Sequence, residues 1–271
     1  MNTFEKIIYA LSARMQKPPL FGTWHIVSLV LTLALAAFMV WKFKNCSDKT
    51  LRIILGIFWG VMICFEVYKQ LVYSMPSDGI AAYWNYQWYA FPFQFCSTPL
   101  FLLPFVIFAK EGKFRNAIVA YMITFSFFAG VLVMVYPGDV FSSIIGINIQ
   151  TMVHHGLQVV MGAFLVAHNR HHLSKRYFAW SMIVFSVIAA MALIFNVLAY
   201  HYLPGEGVNM FYISPYVPCT LPILSVVYAS VPFPVYLMAY VLGFALVSLI
   251  FYASEKGIVT LCSKIKHRGE K

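Results

Sequence analysis

Charge is what this chain most lacks. Only 10% of its 271 residues are Asp, Glu, Lys or Arg, and nine are acidic, whereas a soluble domain carries roughly a quarter charged residues. With 61% hydrophobic residues and a mean hydropathy of +0.77, the composition excludes an ordinary water-soluble domain. No alternating ten-residue strand pattern is present, which argues against a membrane barrel. There is no CxxC and no metal-ligand spacing among Cys46, Cys64, Cys96, Cys219 and Cys262, so neither a metal nor a cofactor is expected. Internal repeats, low-complexity tracts and a cleavable leader are also missing. The formal charge of +10 is not read as a nucleic-acid footprint, because Lys and Arg fall in short clusters between apolar runs.

What is present is length in the apolar runs. A helix needs roughly 20 apolar residues to cross the hydrocarbon, and seven windows qualify: 22–42, 52–74, 89–109, 116–136, 150–168, 177–203 and 234–253. The expected fold is an all-α polytopic bundle of seven transmembrane helices in one domain, 1–271. Residues 1–20 read as an interfacial helix ended by Pro18-Pro19. Residues 22–253 form the bundle and 254–271 a basic tail. Lys42, Lys44, Lys49 and Arg52 fill the first loop, Lys110, Lys113 and Arg115 the third, Arg170, Lys175 and Arg176 the fifth. Lys256, Lys264, Lys266, Arg268 and Lys271 fill the tail, while the even loops carry only Asp78, Asp139 and Glu206. The positive-inside rule then puts the C-terminus in the cytoplasm and the N-terminus outside. Residues 204–233 are apolar but hold Pro204, Pro215, Pro218, Pro222 and Pro232. Proline this dense prevents one continuous helix, so the segment reads as a cap on the outer side, with a broken eighth span through 213–231 as the alternative.

Counted inward along these spans, the strongly polar residues share a depth. His25, Glu66, Lys69, Gln70, Gln94, Cys96, His154, His155, Gln158 and Asn196 all fall in the outer half. Ionisable groups in lipid are costly and mark function, so a polar chamber is expected there. His168, His171 and His172 read as solvated loop residues. Cys96 is singled out because Pro92, Pro99 and Pro104 break its span, freeing backbone N–H groups that suit an oxyanion. A buried thiol is inert unless a base or cation activates it, and His154 or His155 lies at the right depth to be that base.

Five segments in series then carry a resemblance. They are Gly22-Thr23-Trp24-His25, Glu66, Phe91-Pro92-Phe93-Gln94-Phe95-Cys96, His154-His155-Gly156 and Asn209-Met210-Phe211-Tyr212-Ile213-Ser214-Pro215. In this order they resemble the YwaF-type bacterial integral membrane family, related to the animal transmembrane protein 164 family. That resemblance implies a cysteine-dependent acyltransferase working through an acyl-enzyme, with Cys96 as nucleophile and His155, the histidine before glycine, as base.

The leading expectation is therefore acyl transfer or acyl-ester hydrolysis on a phospholipid or lysophospholipid in the outer half of a bacterial cytoplasmic membrane. Catalysis is assigned to Cys96, His155 and His154. Substrate contacts are assigned to His25, Glu66, Lys69, Gln94, Gln158, Asn196 and Asn209. The alternative is a seven-span transporter, channel or ligand receptor in which Glu66, Lys69 and the histidines line a polar pathway. A bundle whose polar chamber only holds helices together, and a zinc enzyme using His25, His154, His155 and Glu66, are the remaining readings.

Overall fold

The structure, a computed structural model, describes residues 2–76, 83–169, 174–203 and 205–269. Asp78, Arg170, His171, His172, Pro204 and Lys271 lie outside the described residues, as do the side chains of Lys266 and Arg268. Among the described residues the fold is all-helical, with one isolated bridge between Arg14 and Ile144.

Six helices among the described residues are long and apolar enough to cross a membrane. They are Thr23–Phe43 (α2), Asp48–Ser74 (α3), Lys113–Val135, Ile145–His168 (α7), Lys175–Tyr202 (α8) and the first part of Phe233–Gly269 (α10). The chain is thus a multi-pass membrane protein. The crossing over residues 113–135 consists of a helix, Lys113–Tyr121 (α5), a π turn, Met122–Ser126, and a second helix, Phe127–Val135 (α6). Where seven full spans were expected, the window 89–109 departs. It contains two 3₁₀ turns, Trp88–Ala90 and Phe95–Ser97, and a ten-residue helix, Pro99–Phe108 (α4). The prolines explain this: Pro92 cannot extend a helix, whereas Pro99 occupies the first turn of α4, where a missing N–H costs nothing.

Other boundaries also moved. The N-terminal helix, Thr3–Leu11 (α1), starts on a capping box between Asn2 and Glu5 and ends well before the prolines. The chain then pairs with residues 143–145 through Met15 N–H to Ser143 O (2.9 Å) and Ile145 N–H to Ala13 O (2.9 Å). The α7 helix begins at Ile145, five residues before the expected span, so His154 lies about 14 Å along it rather than one turn in. The 204–233 segment holds one 3₁₀ turn, Met210–Tyr212, and a seven-residue helix, Leu224–Ser230 (α9). The basic tail continues α10 as helix to Gly269.

Burial sorts the helices into centre and rim. The apolar window of α7 is 78% buried and that of 113–135 is 72% buried, against 17% for α2. With no hydrophobic drive between helices in lipid, close approach depends on small residues. Gly130 on α6 is one such residue, since a Cβ there would sit 2.7 Å from Gln158 Cβ on α7. Gly156 is another, where a Cβ would meet Thr32 Oγ1 of α2 at 2.7 Å.

Candidate functional site

The site is built where the broken third segment meets α3 and α7. A 3₁₀ turn, Phe95–Ser97, carries Cys96. Phe95 anchors it among the rings of Phe125, Phe128, Phe185, Phe211 and Phe244, with centroids 4.9 to 6.4 Å away. Thr98 Oγ1 hydrogen-bonds Phe95 O (2.9 Å) and the Tyr121 hydroxyl (3.0 Å). Trp59 Nε1 of α3 donates to Leu100 O (2.9 Å) just beyond it. The π turn, Met122–Ser126, packs on this turn through Phe125, and π insertions of this kind recur at functional positions.

The α7 helix presents its polar face to Cys96. His154 Nε2 donates to the Cys96 carbonyl oxygen (3.0 Å), and Gln158 Nε2, one turn on, donates to the same oxygen. A carbonyl can only accept, so His154 carries its proton on Nε2 and keeps a lone pair on Nδ1. His155 Nδ1 donates to Thr151 O (2.7 Å), which leaves the lone pair on Nε2. Both histidines are buried. Neither His154 Nδ1 nor His155 Nε2 has a hydrogen-bond partner among the described residues, and the same holds for Gln158 Oε1. Buried polar groups without partners are uncommon and call for an explanation.

The α3 helix supplies the charges. Lys69 Nζ and Glu66 Oε1 form an ion pair at 2.9 Å, with both side chains largely enclosed. Gln70 Nε2 bridges Glu66 Oε1 (2.6 Å) and Ala90 O (2.8 Å), tying α3 to the start of the broken segment. Glu66 Oε2 and Gln70 Oε1 remain without partners.

Residues from three separate stretches therefore converge as an ordered set: Glu66 and Lys69, Cys96, then His154, His155 and Gln158. A sequence model of the TMEM164 family matches residues 20–252, which include every one of them. The chain belongs to the TMEM164 family. No curated protein and no solved structure matches it.

In this TMEM164-family chain, four of the residues expected to touch substrate are already occupied. His25 accepts from Phe21 N–H (3.0 Å) at Nδ1 and donates from Nε2 to Met134 O (2.8 Å), so it pins the start of α2 to the end of α6. Gln94 donates to Asn209 O (3.0 Å) and accepts from Phe211 N–H (2.9 Å). Asn196 grips both backbone groups of Met210, at 2.6 and 2.9 Å. Asn209 accepts from Ser214 N–H (2.9 Å) and donates to Val217 O (3.0 Å). Together these amides hold the 209–217 segment against the cysteine turn, with Phe211 and Tyr212 in left-handed backbone conformations (φ 58° and 59°), which non-glycine residues keep only when their surroundings enforce it.

The sulfur itself is not hydrogen-bonded to either imidazole; the histidine–cysteine link runs through the main chain. Cys96 is half-buried. His168, read as solvated, is half-buried with Nδ1 3.2 Å from Lys44 O and 4.0 Å from Cys46 Sγ. The sequence put Gln70 at the depth of the chamber without assigning it a role, although its i, i+4 spacing from Glu66 was an available signal. Sequence reasoning passed over Trp59 and Tyr121, whose partners are distant in the chain and left no local trace. Among the described residues no three or more His, Cys, Asp and Glu side chains gather as a metal-holding group.

Proposed function

We propose that this protein transfers or hydrolyses a phospholipid acyl ester through a Cys96 thioester. One observation carries the reading: His155 Nε2 offers a buried, unpartnered lone pair next to the ring of His154, which with Gln158 clamps the cysteine turn by its carbonyl. Catalytic hydrogen bonds often tighten only once substrate is bound, so a base at this position suits a thiol that it does not yet touch.

In the first step the Cys96 Sγ–H proton passes to His155 Nε2 while sulfur bonds to the ester carbonyl carbon. The ester C–O bond then breaks, and the departing alkoxide takes the proton back from His155, leaving as lysophospholipid. In the second step an acceptor hydroxyl, or water, gives its proton to His155 and attacks the thioester, and Sγ regains the proton. Lys69, held by Glu66, meets the lipid phosphate, and His154 and Gln158 keep the turn in place. The paired state of Glu66 and Lys69 favours an anchoring role over a conducting one.

The same reading places the chain in the YwaF-type bacterial branch of its family and in the bacterial cytoplasmic membrane. It takes the broken stretch 89–109 as a third crossing out of seven, with the N-terminus outside, the C-terminus cytoplasmic and the 204–233 cap over the site. The distribution of Lys and Arg supports that orientation.

The test is purified protein with a labelled phospholipid donor and a lysophospholipid acceptor. Cys96→Ala should abolish transfer and remove a hydroxylamine-sensitive acyl label from the protein. Undiminished turnover in that variant, or a flux across vesicles lost in Glu66→Gln but kept in Cys96→Ala, sinks the proposal and favours a transporter.

A further inference from the structure

A second feature lies on a different surface and is independent of acyl transfer. Between the α4–α5 hairpin and α8 runs an open groove of about 650 Å³. Its walls are Phe101 and Phe105 from α4, Ala117 from α5, and Ile183, Val187 and Met191 from α8. One end reaches Phe93 and Thr98, and the other ends at Lys113 and Trp180. Between those ends α4 contributes ten residues, or about 15 Å. That equals about half the 30 Å thickness of the hydrocarbon core, the depth of one leaflet.

The mouth at Lys113 is cationic. Lys113 is exposed, and Arg176 stacks over the Trp180 ring at 4.7 Å. Among the described residues neither forms an ion pair, whereas nearby Arg52 and Arg115 are engaged with Asp48. Helices α5 and α8 both begin here, and neither start has a side-chain cap, so their positive ends add to the field. Tryptophan suits the headgroup level of a bilayer.

We propose that this groove seats one anionic phospholipid from the leaflet bordering Lys113. Its phosphate rests between Lys113 and Arg176, and one acyl tail lies along α4 and α8 toward Thr98. The match of groove depth to a single leaflet selects a lipid tail as occupant, and the two unpaired cations select a negative headgroup. The lipid is a resident partner that braces the short α4 helix from outside the bundle.

The experiment is native mass spectrometry of full-length protein in detergent, titrated with phosphatidylglycerol or phosphatidylcholine of identical chains. Phosphatidylglycerol should be retained at roughly thirtyfold lower concentration, in line with two basic residues at a membrane surface. Replacing both cations, Lys113→Gln with Arg176→Gln, should bring the two lipids level. Filling the groove with Ala117→Trp should remove retained lipid of either kind. If Ala117→Trp fails to fold, Val187→Trp fills the same groove from the lipid-facing side of α8. Equal retention of both lipids by the parent overturns the proposal. So does a headgroup preference surviving the double substitution, or full retention in a folded groove-filled variant.

Discussion

The two ends of α3 handle charge in opposite ways. At Asp48 both carboxylate oxygens are engaged. Arg52 donates to Asp48 Oδ2 (2.6 Å), Ile107 O (2.7 Å) and Ala109 O (2.9 Å), and Arg115 donates to Asp48 Oδ1 (2.6 Å) and Val106 O (2.9 Å). The two guanidinium groups satisfy the last carbonyls of α4, where helix ends otherwise leave them open. Some 18 residues later, about 27 Å along the helix, Glu66 and Lys69 pair in a site where five buried polar atoms are left over. The first cluster closes a short helix. The second keeps polar capacity in reserve at a place where it costs stability, which is the expected signature of a site that binds something else.

The largest effect that separates the two ends is chemical. Cys96→Ala should lower lipid acyl transfer by at least about 10⁴-fold while thermal unfolding in detergent stays near that of the parent. A parallel loss of folded protein would assign the site to structure. Next comes His155→Ala, expected to reduce transfer by about 10²- to 10⁴-fold, the range of a general base. His154→Ala should cost less, because that ring positions the Cys96 carbonyl; comparable rates for the two variants would move the base to His154. At the other end of α3, Arg115→Met should remove about 2 kcal/mol of stability by stranding the Val106 carbonyl and weakening the hold on Asp48. Denaturation should report that loss, with transfer per folded molecule unchanged. Gln94→Leu should show the smallest primary effect, about 1 kcal/mol of stability, with the 209–217 segment loosened and limited proteolysis there accelerated. A Gln94→Leu variant that keeps its protease resistance but loses activity would return Gln94 to the substrate.

Much of the fold was readable because a bilayer enforces simple rules. Five of the expected windows correspond to long helices, since an apolar run must satisfy its backbone internally to lie in lipid. The 113–135 crossing was also found, though its π turn was not, because a π insertion depends on what packs against it. The window 89–109 had the right composition and the wrong continuity. Its prolines were seen as breaks around Cys96, yet the remaining helix, shortened to ten residues, follows only from where the chain is anchored by Trp59, Thr98 and Phe95.

The site was legible as a set of polar residues at similar depth, but their individual roles were not. Gln94, Asn196 and Asn209 are amides in an apolar setting, and composition treats all such groups alike. Only their partners distinguish them: backbone groups between Asn209 and Pro218, a stretch that lies outside every α-helix. His25 and His155 likewise differ in one respect, a second hydrogen-bond partner present in the first and missing in the second.

By itself the sequence determined that the chain lives in a membrane, that it is helical, and that Cys96 and the paired histidines are costly enough to need a purpose. Those conclusions rest on local hydropathy and on the energetic penalty of polar groups in lipid. Tertiary structure decided which polar groups are spent and which remain available. A hydrogen-bond partner arriving from 58 residues away, as the Cys96 carbonyl does for His154, leaves no mark on the residues beside it.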